Sequence, residues 1–193
     1  MPDATPAAAP PDAWFATDEP MQSDVAAFVA QLRTHGPALG ALGIRPDDTS
    51  LFLGVIPAMP LVEAWSAGRR GLTIVLAYWP PERRQLLEGG WCTDGDILDC
   101  LGQPFDDRDL TAQGMDLSPR AAGDIAGGWL VRQLARPVVR RTIRRGRRSA
   151  EHIVLADTGT ELWARGSRRL RRCLRSGACD EETLLRGGAP NGA

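Results

Sequence analysis

Hydrophobic residues recur along this chain in two rhythms, and the alternation between them predicts a mixed fold. In Ser23–His35, Val25, Phe28, Val29 and Leu32 fall at i, i+3, i+4 and i+7, the stripe of an amphipathic helix. Ser23 stands where an N-cap belongs and Gly36-Pro37 where a helix stops. A second long helix is expected over Ser118–Ala135: Ser118 is its cap, Pro119 takes the first helical position, and Ala122, Ile125, Ala126, Trp129 and Leu130 mark one face. Gly127 and Gly128 each weaken that helix by about 1 kcal/mol relative to alanine.

The segments between these helices read as strands. Thr49–Ile56 is a short apolar run closed by Pro57, and Pro60–Trp65 and Leu72–Trp79 flank a loop with two glycines, so they form a hairpin. Both alternating sets of Leu72–Trp79 are largely apolar, which places that strand at the centre of a sheet. Pro80–Gly90 reads as one short helix ended by Gly89, and Trp91–Leu110 as loop with at most a turn of helix after Asp94 or Asp96.

At Pro137 two continuations are open. A kinked helix would line Val138, Val139, Thr142 and Ile143 on one face; a stopped helix would leave Val138–Arg145 as a strand turning at Gly146. The strand is preferred, because proline in a helix interior costs about 3 kcal/mol and two β-branched valines follow it. Val139, Ile143, Ile153 and Leu155 should anchor a hairpin or a three-stranded meander, with Arg140, Arg144, Arg147 and Arg148 mostly exposed. Further on, Glu151–Ala156 and Thr160–Trp163 are joined by an Asp-led turn with Gly159 at its close. Ser167–Arg175 then sets Leu170, Cys173 and Leu174 at helical spacing under an arginine-covered face.

These elements describe an α+β fold: a single domain with a central antiparallel sheet, two main helices and an arginine-rich C-terminal β-hairpin plus helix. The domain is expected over residues 21–186. Residues 1–20, rich in proline and alanine, read as a flexible lead and residues 187–193 as a flexible tail, neither adding to the core. A length of 193 residues suits one domain.

Charge changes the picture more than composition does. The net charge of −1 hides 8 Arg against 18 Asp and Glu in residues 1–131, and 15 Arg against 6 in residues 132–193. That asymmetry suggests either an anionic partner for the basic half or mutual neutralisation of the two halves. All positive side chains are arginine. With no lysine, a P-loop lysine, a Schiff-base lysine and a lysine general base are excluded.

Other chemistry is thinly supplied. His35 and His152 have no partner at motif spacing, and Cys92, Cys100, Cys173 and Cys179 occur as C-x7-C and C-x5-C, unlike zinc knuckles. The cysteines are expected to be free thiols. Six carboxylates between Asp94 and Asp109 could hold a hard cation or support a hydrolase, although their spacing is not that of an EF-hand. The longest apolar stretch, Leu51–Val62, is too short to span a membrane and carries two prolines. Residues 1–20 lack the basic n-region and the apolar h-region of a secretory signal, so none is expected there. A protein of the cytoplasm, with no cofactor, no resident metal and no membrane partner, is therefore expected.

The segment "ARPVVRRTIRRGRRSAEHIVLADTGTELW", Ala135–Trp163, resembles the wing of winged-helix transcription regulators of the MarR type, including a Leu155–Leu162 stretch of the form L-x-x-x-G-x-x-L. The resemblance implies that Arg140, Arg141, Arg144, Arg145, Arg147 and Arg148 lie beside nucleic-acid phosphates. Ser118–Ala135 supplies one helix for that arrangement, but no helix-turn-helix partner is read before it. The function expected first is a non-enzymatic binding, adaptor or regulatory protein with a protein partner, acting through charge-separated surfaces. The alternative is nucleic-acid binding by the Arg132–Arg175 basic region, and the third reading is a carboxylate or metal-dependent hydrolase at Asp94–Asp109. No catalytic residue is assigned.

Overall fold

The structure, a computed structural model, describes residues 9–67, 70–80, 86–93, 110–113 and 117–187. Two antiparallel sheets share one core with two helices. The first sheet runs in chain order: β1 (Thr49–Phe52), β2 (Met59–Ala67), β3 (Arg70–Trp79), β4 (Leu86–Thr93) and β5 (Leu110–Gln113). Its middle strand is β3, as its two apolar faces require. The second sheet has the order β8-β7-β6-β9, where β6 is Val138–Arg145, β7 Arg148–Leu155, β8 Glu161–Gly166 and β9 Glu181–Arg186.

Helix α1 (Ser23–Arg33) buries Val25, Phe28, Val29 and Leu32, the stripe read from the sequence. Its Phe28 ring stacks on Tyr78 of β3, with centroids 4.2 Å apart. Gln22 rather than Ser23 is the cap residue. Gly36-Pro37 does not simply end the helix. It opens a second short one, α2 (Gly36–Ala41), with proline where a missing N–H costs nothing. Helix α3 (Pro119–Leu134) starts as expected, the Ser118 hydroxyl accepting from the Ala121 amide at 3.2 Å.

Helices α1 and α3 lie against each other because α3 carries glycines on the contact face. A Cβ on Gly123 would stand 2.5 Å from the Phe28 carbonyl oxygen, and one on Gly127 would strike the His35 ring. Propensity is thus traded for close approach. Below α3, Trp129 is buried on the sheet, and Trp91 of β4 donates from Nε1 to the buried Gln133 Oε1 at 3.1 Å.

Pro137 stops α3, and β6 follows at once. Its pairing with β7 runs without a slip from Val138↔Leu155 to Arg145↔Arg148. Gly146 closes this hairpin at a φ of +59°, the left-handed conformation that a two-residue turn demands of its first central residue. The sheet is buried on both sides. Val138, Ile153 and Leu155 join the main core, whereas Ile143 and Ala150 meet Leu170 and Leu174 of helix α4 (Arg168–Arg175) on the opposite face.

Three expectations are corrected. Residues of Pro80–Gly90 do not end a helix at Gly89: Leu86–Thr93 is strand, and Gly89 is needed there because a Cβ would stand 2.8 Å from Leu76 Cδ2 and 2.9 Å from Trp129 Cζ3. The lead does contribute to the core, since Trp14 and Phe15 are 3% and 0% exposed. Arg33 holds it in place, donating to the Trp14 carbonyl at 2.8 Å and the Phe15 carbonyl at 3.0 Å. Third, Cys92 is disulfide-bonded, while Cys173 and Cys179 are free thiols.

Candidate anion-binding face

Arg145 of β6, Arg147 and Arg148 of the hairpin tip and Arg169 of α4 line one groove because α4 packs across the sheet, whereas Arg140 and Arg144 alternate with Ile143 onto the other face of β6. Ile143 and Ala150 supply the strand side of that contact, Leu170 and Leu174 the helix side. The turn arginines and the helix arginines thereby become neighbours. This juxtaposition was not read from the sequence, although the amphipathic pattern of Ser167–Arg175 contained half of the signal.

The six candidate arginines divide into two groups. Arg140 Nε lies 3.9 Å from Glu151, Arg141 Nε 2.6 Å from Glu182, and Arg145 Nη1 2.8 and 2.9 Å from the two oxygens of Asp180. Asp180 also accepts from the Arg144 backbone amide at 2.6 Å. That amide, then the Arg145 guanidinium, hold the Asp180 carboxyl below its usual range, and Asp180 raises Arg145 in return. Asp180 and Glu182 flank or belong to β9, a strand the sequence reading did not contain. The carboxylates within ion-pair distance come from the basic half itself; the Asp94–Asp109 cluster of the acidic half lies outside the described residues.

The second group is unpaired. Among the described residues no carboxylate stands at ion-pair distance from Arg144, Arg147, Arg148, Arg165, Arg168, Arg169 or Arg172. All seven are exposed. Arg147, Arg148 and Arg169, together with the paired Arg145, rim a groove of about 600 Å³ between the hairpin tip and α4. Ile143, Leu170, Cys173 and Ala178 form its floor, and Ser167 stands at one end. Arginine forks are suited to carboxylates and phosphates in two-point contacts.

Two histidines complete the inventory. His35 Nε2 lies 3.1 Å from Asp124 Oδ1 at the α1–α3 surface, and its ring covers Gly127. His152 is 2% exposed, with Nε2 3.2 Å from Glu161 Oε2, which also accepts from Arg175. Neither has a nucleophile beside it among the contacts described. No group of three or more His, Cys, Asp or Glu side chains suited to a metal occurs among the described residues. No helix of the described residues is long and apolar enough to cross a membrane.

Helix α3 buries Ala122, Ala126, Trp129, Leu130 and Leu134 and keeps Arg120, Asp124 and Arg132 exposed on its other side. No family model matches the chain, and no curated protein and no solved structure matches it.

Proposed function

We propose that this is a binding protein of the adaptor or regulatory kind, which docks an acidic partner protein on the arginine face formed by α4 and the β6–β7 turn. The observation carrying this reading is the set of five exposed arginines, Arg147, Arg148, Arg168, Arg169 and Arg172, that no carboxylate among the described residues reaches at ion-pair distance, beside three that lie within that distance of Glu151, Asp180 and Glu182. Like charges crowded on one face raise the energy of the free protein, and an anionic partner relieves them.

Titration with polyglutamate at 50 and 200 mM salt tests the reading. Binding at low salt that weakens as ions screen the face is the expected result, and replacing Arg147, Arg148, Arg169 and Arg172 together by glutamine should abolish it while the circular dichroism spectrum is kept. No binding at low salt would overturn it.

Nucleic acid is the second reading, favoured by the shared groove lining of Arg145, Arg147 and Arg148 with Arg169 of α4. A duplex would lose about 0.9 in log–log salt slope for each phosphate contact removed by mutation. Affinity for duplex exceeding that for polyglutamate at the same salt would select it.

A further inference from the structure

The groove on the arginine face is chemically two-sided. Its rim offers Arg147, Arg148 and Arg169, which no carboxylate among the described residues reaches at ion-pair distance, and its apolar lining is Ile143, Leu170, Cys173 and Ala178, of which Cys173 and Ala178 are the more exposed. A ligand that is only polar would meet the rim and leave the floor wet. Splayed nucleobases would gain from a ring to stack on, and among the described residues no aromatic side chain lines the groove. Its volume of about 600 Å³ lies within the roughly 300–1,000 Å³ that holds a ligand of several side-chain equivalents. A bare phosphate or a single carboxylate would fill only a small part of it.

We infer that the groove seats a short acidic segment of a partner protein in which aspartates or glutamates flank one or two aliphatic residues, the carboxylates on Arg147, Arg148 and Arg169 and the aliphatic side chains on the Cys173–Ala178 floor. Charge complementarity selects the acidic residues. The floor selects the aliphatic ones, since burying them against Cys173 and Ala178, the less buried members of the lining, removes apolar area from water on both sides. The inference rests on the proposed binding of an acidic partner and adds a requirement that the charge pattern alone does not contain. Arg145 is held back from the segment by Asp180, whose two oxygens lie 2.8 and 2.9 Å from its Nη1, so the rim presents three free forks.

The test uses the full chain and fluorescein-labelled hexapeptides, Glu-Asp-Leu-Leu-Asp-Glu and Glu-Asp-Gly-Gly-Asp-Glu, with a labelled duplex of 12 base pairs as a third arm, a length of about one helical turn. Fluorescence anisotropy at low salt should give a Kd for the leucine peptide at least about tenfold below that of the glycine peptide, a difference of about 1.4 kcal/mol. The exposed Ala178→Gln should erase most of that difference while leaving the glycine peptide bound, and Arg147→Gln with Arg169→Gln should weaken both peptides about tenfold or more. Equal affinities for the two peptides would overturn the inference and leave the arginine-face reading intact. Failure of both peptides to bind would overturn both. Tighter binding of the duplex than of the leucine peptide would replace the acidic segment by nucleic acid.

Discussion

Arg136 and Asp157 meet through two parallel hydrogen bonds, Nε to Oδ2 at 2.9 Å and Nη2 to Oδ1 at 3.1 Å, with Arg136 only 7% exposed. The chain two residues past the end of α3 is thereby tied to the β7–β8 turn. Gln133 Oε1 accepts from Nη1 at 2.9 Å and the Thr158 hydroxyl stands 3.3 Å from Nη2, so the guanidinium is satisfied on every side. The basic half therefore uses its most buried arginine as a clamp, and its exposed ones for the surface.

Arg136→Ala should destabilise the fold by about 3 kcal/mol, the lower end of the range for breaking a buried pair, because Asp157 keeps some contact with water. Arg136→Lys should recover only part of this, since an ammonium cannot make the two-point contact. Urea denaturation of both variants checks the order. Equal stability of the lysine variant and wild type would remove the geometric argument.

The glycines of α3 should respond oppositely to alanine. Gly128 faces only Arg132 Nη1, at 3.4 Å from a Cβ placed there, so Gly128→Ala should stabilise by about 0.5–1 kcal/mol through helix propensity. Gly123→Ala gains the same propensity but drives a methyl toward the Phe28 backbone; overpacking of about 1–3 kcal/mol exceeds the gain. Thermal melting of the two variants should therefore move in opposite directions.

Elements whose signal is local were legible in the sequence. The stripe Val25, Phe28, Val29, Leu32, the Ser118 cap, the Pro137 stop and the Gly146 and Gly159 turns each depend on residues a few positions apart, and all recur in the fold. What was missed depends on distant neighbours. Gly89 resembles a helix terminator until Leu76 and Trp129 are seen crowding it. Glu181–Arg186 has an exposed first half and no regular apolar alternation; it is a strand because β6 offers an unpaired edge. Without β9, the arginines of β6 could not be assigned Asp180 and Glu182 as neighbours, so the division of the basic cluster into paired and unpaired members was invisible.

Trp14 gives a direct measure of how far the N-terminal lead belongs to the domain. Its indole covers Gly36, where a Cβ would stand 2.5 Å from Nε1, and the following Phe15 takes a φ of +49°, its amide donating to the Thr49 hydroxyl at 3.0 Å. A non-glycine residue in that region carries strain, which the burial of the two rings offsets. Trp14→Ala should cost about 3–5 kcal/mol, and removal of residues 1–20 at least as much. Unchanged melting of the truncated chain would refute this.

His152 makes stability depend on pH in a predictable sense. It lies on the α4 side of β7, where burial is the largest influence and pushes its pKa down; Glu161 opposes this, and Arg175, Arg171 and Arg141 reinforce it. The folded value is therefore below the unfolded one of about 6.5, and the native state binds fewer protons than the unfolded state in between. The contribution of this group is fully present above about pH 6.5 and is lost as pH falls from there through the lowered folded value, with a slope of at most about 1.4 kcal/mol per pH unit. Glu161 adds a second loss at lower pH. Its hydrogen bond from Arg175 holds its carboxyl below the ordinary range, so its contribution disappears as pH falls below about 4.3 and through its own lowered value. Urea midpoints measured from pH 8 to about pH 2 should decline in wild type below about pH 6.5, and His152→Gln should flatten the upper part of that decline while Glu161→Gln flattens the part below about pH 4.3. A wild-type midpoint that rose on acidification from pH 7 to pH 5 would reverse the sign and place the histidine in its charged form.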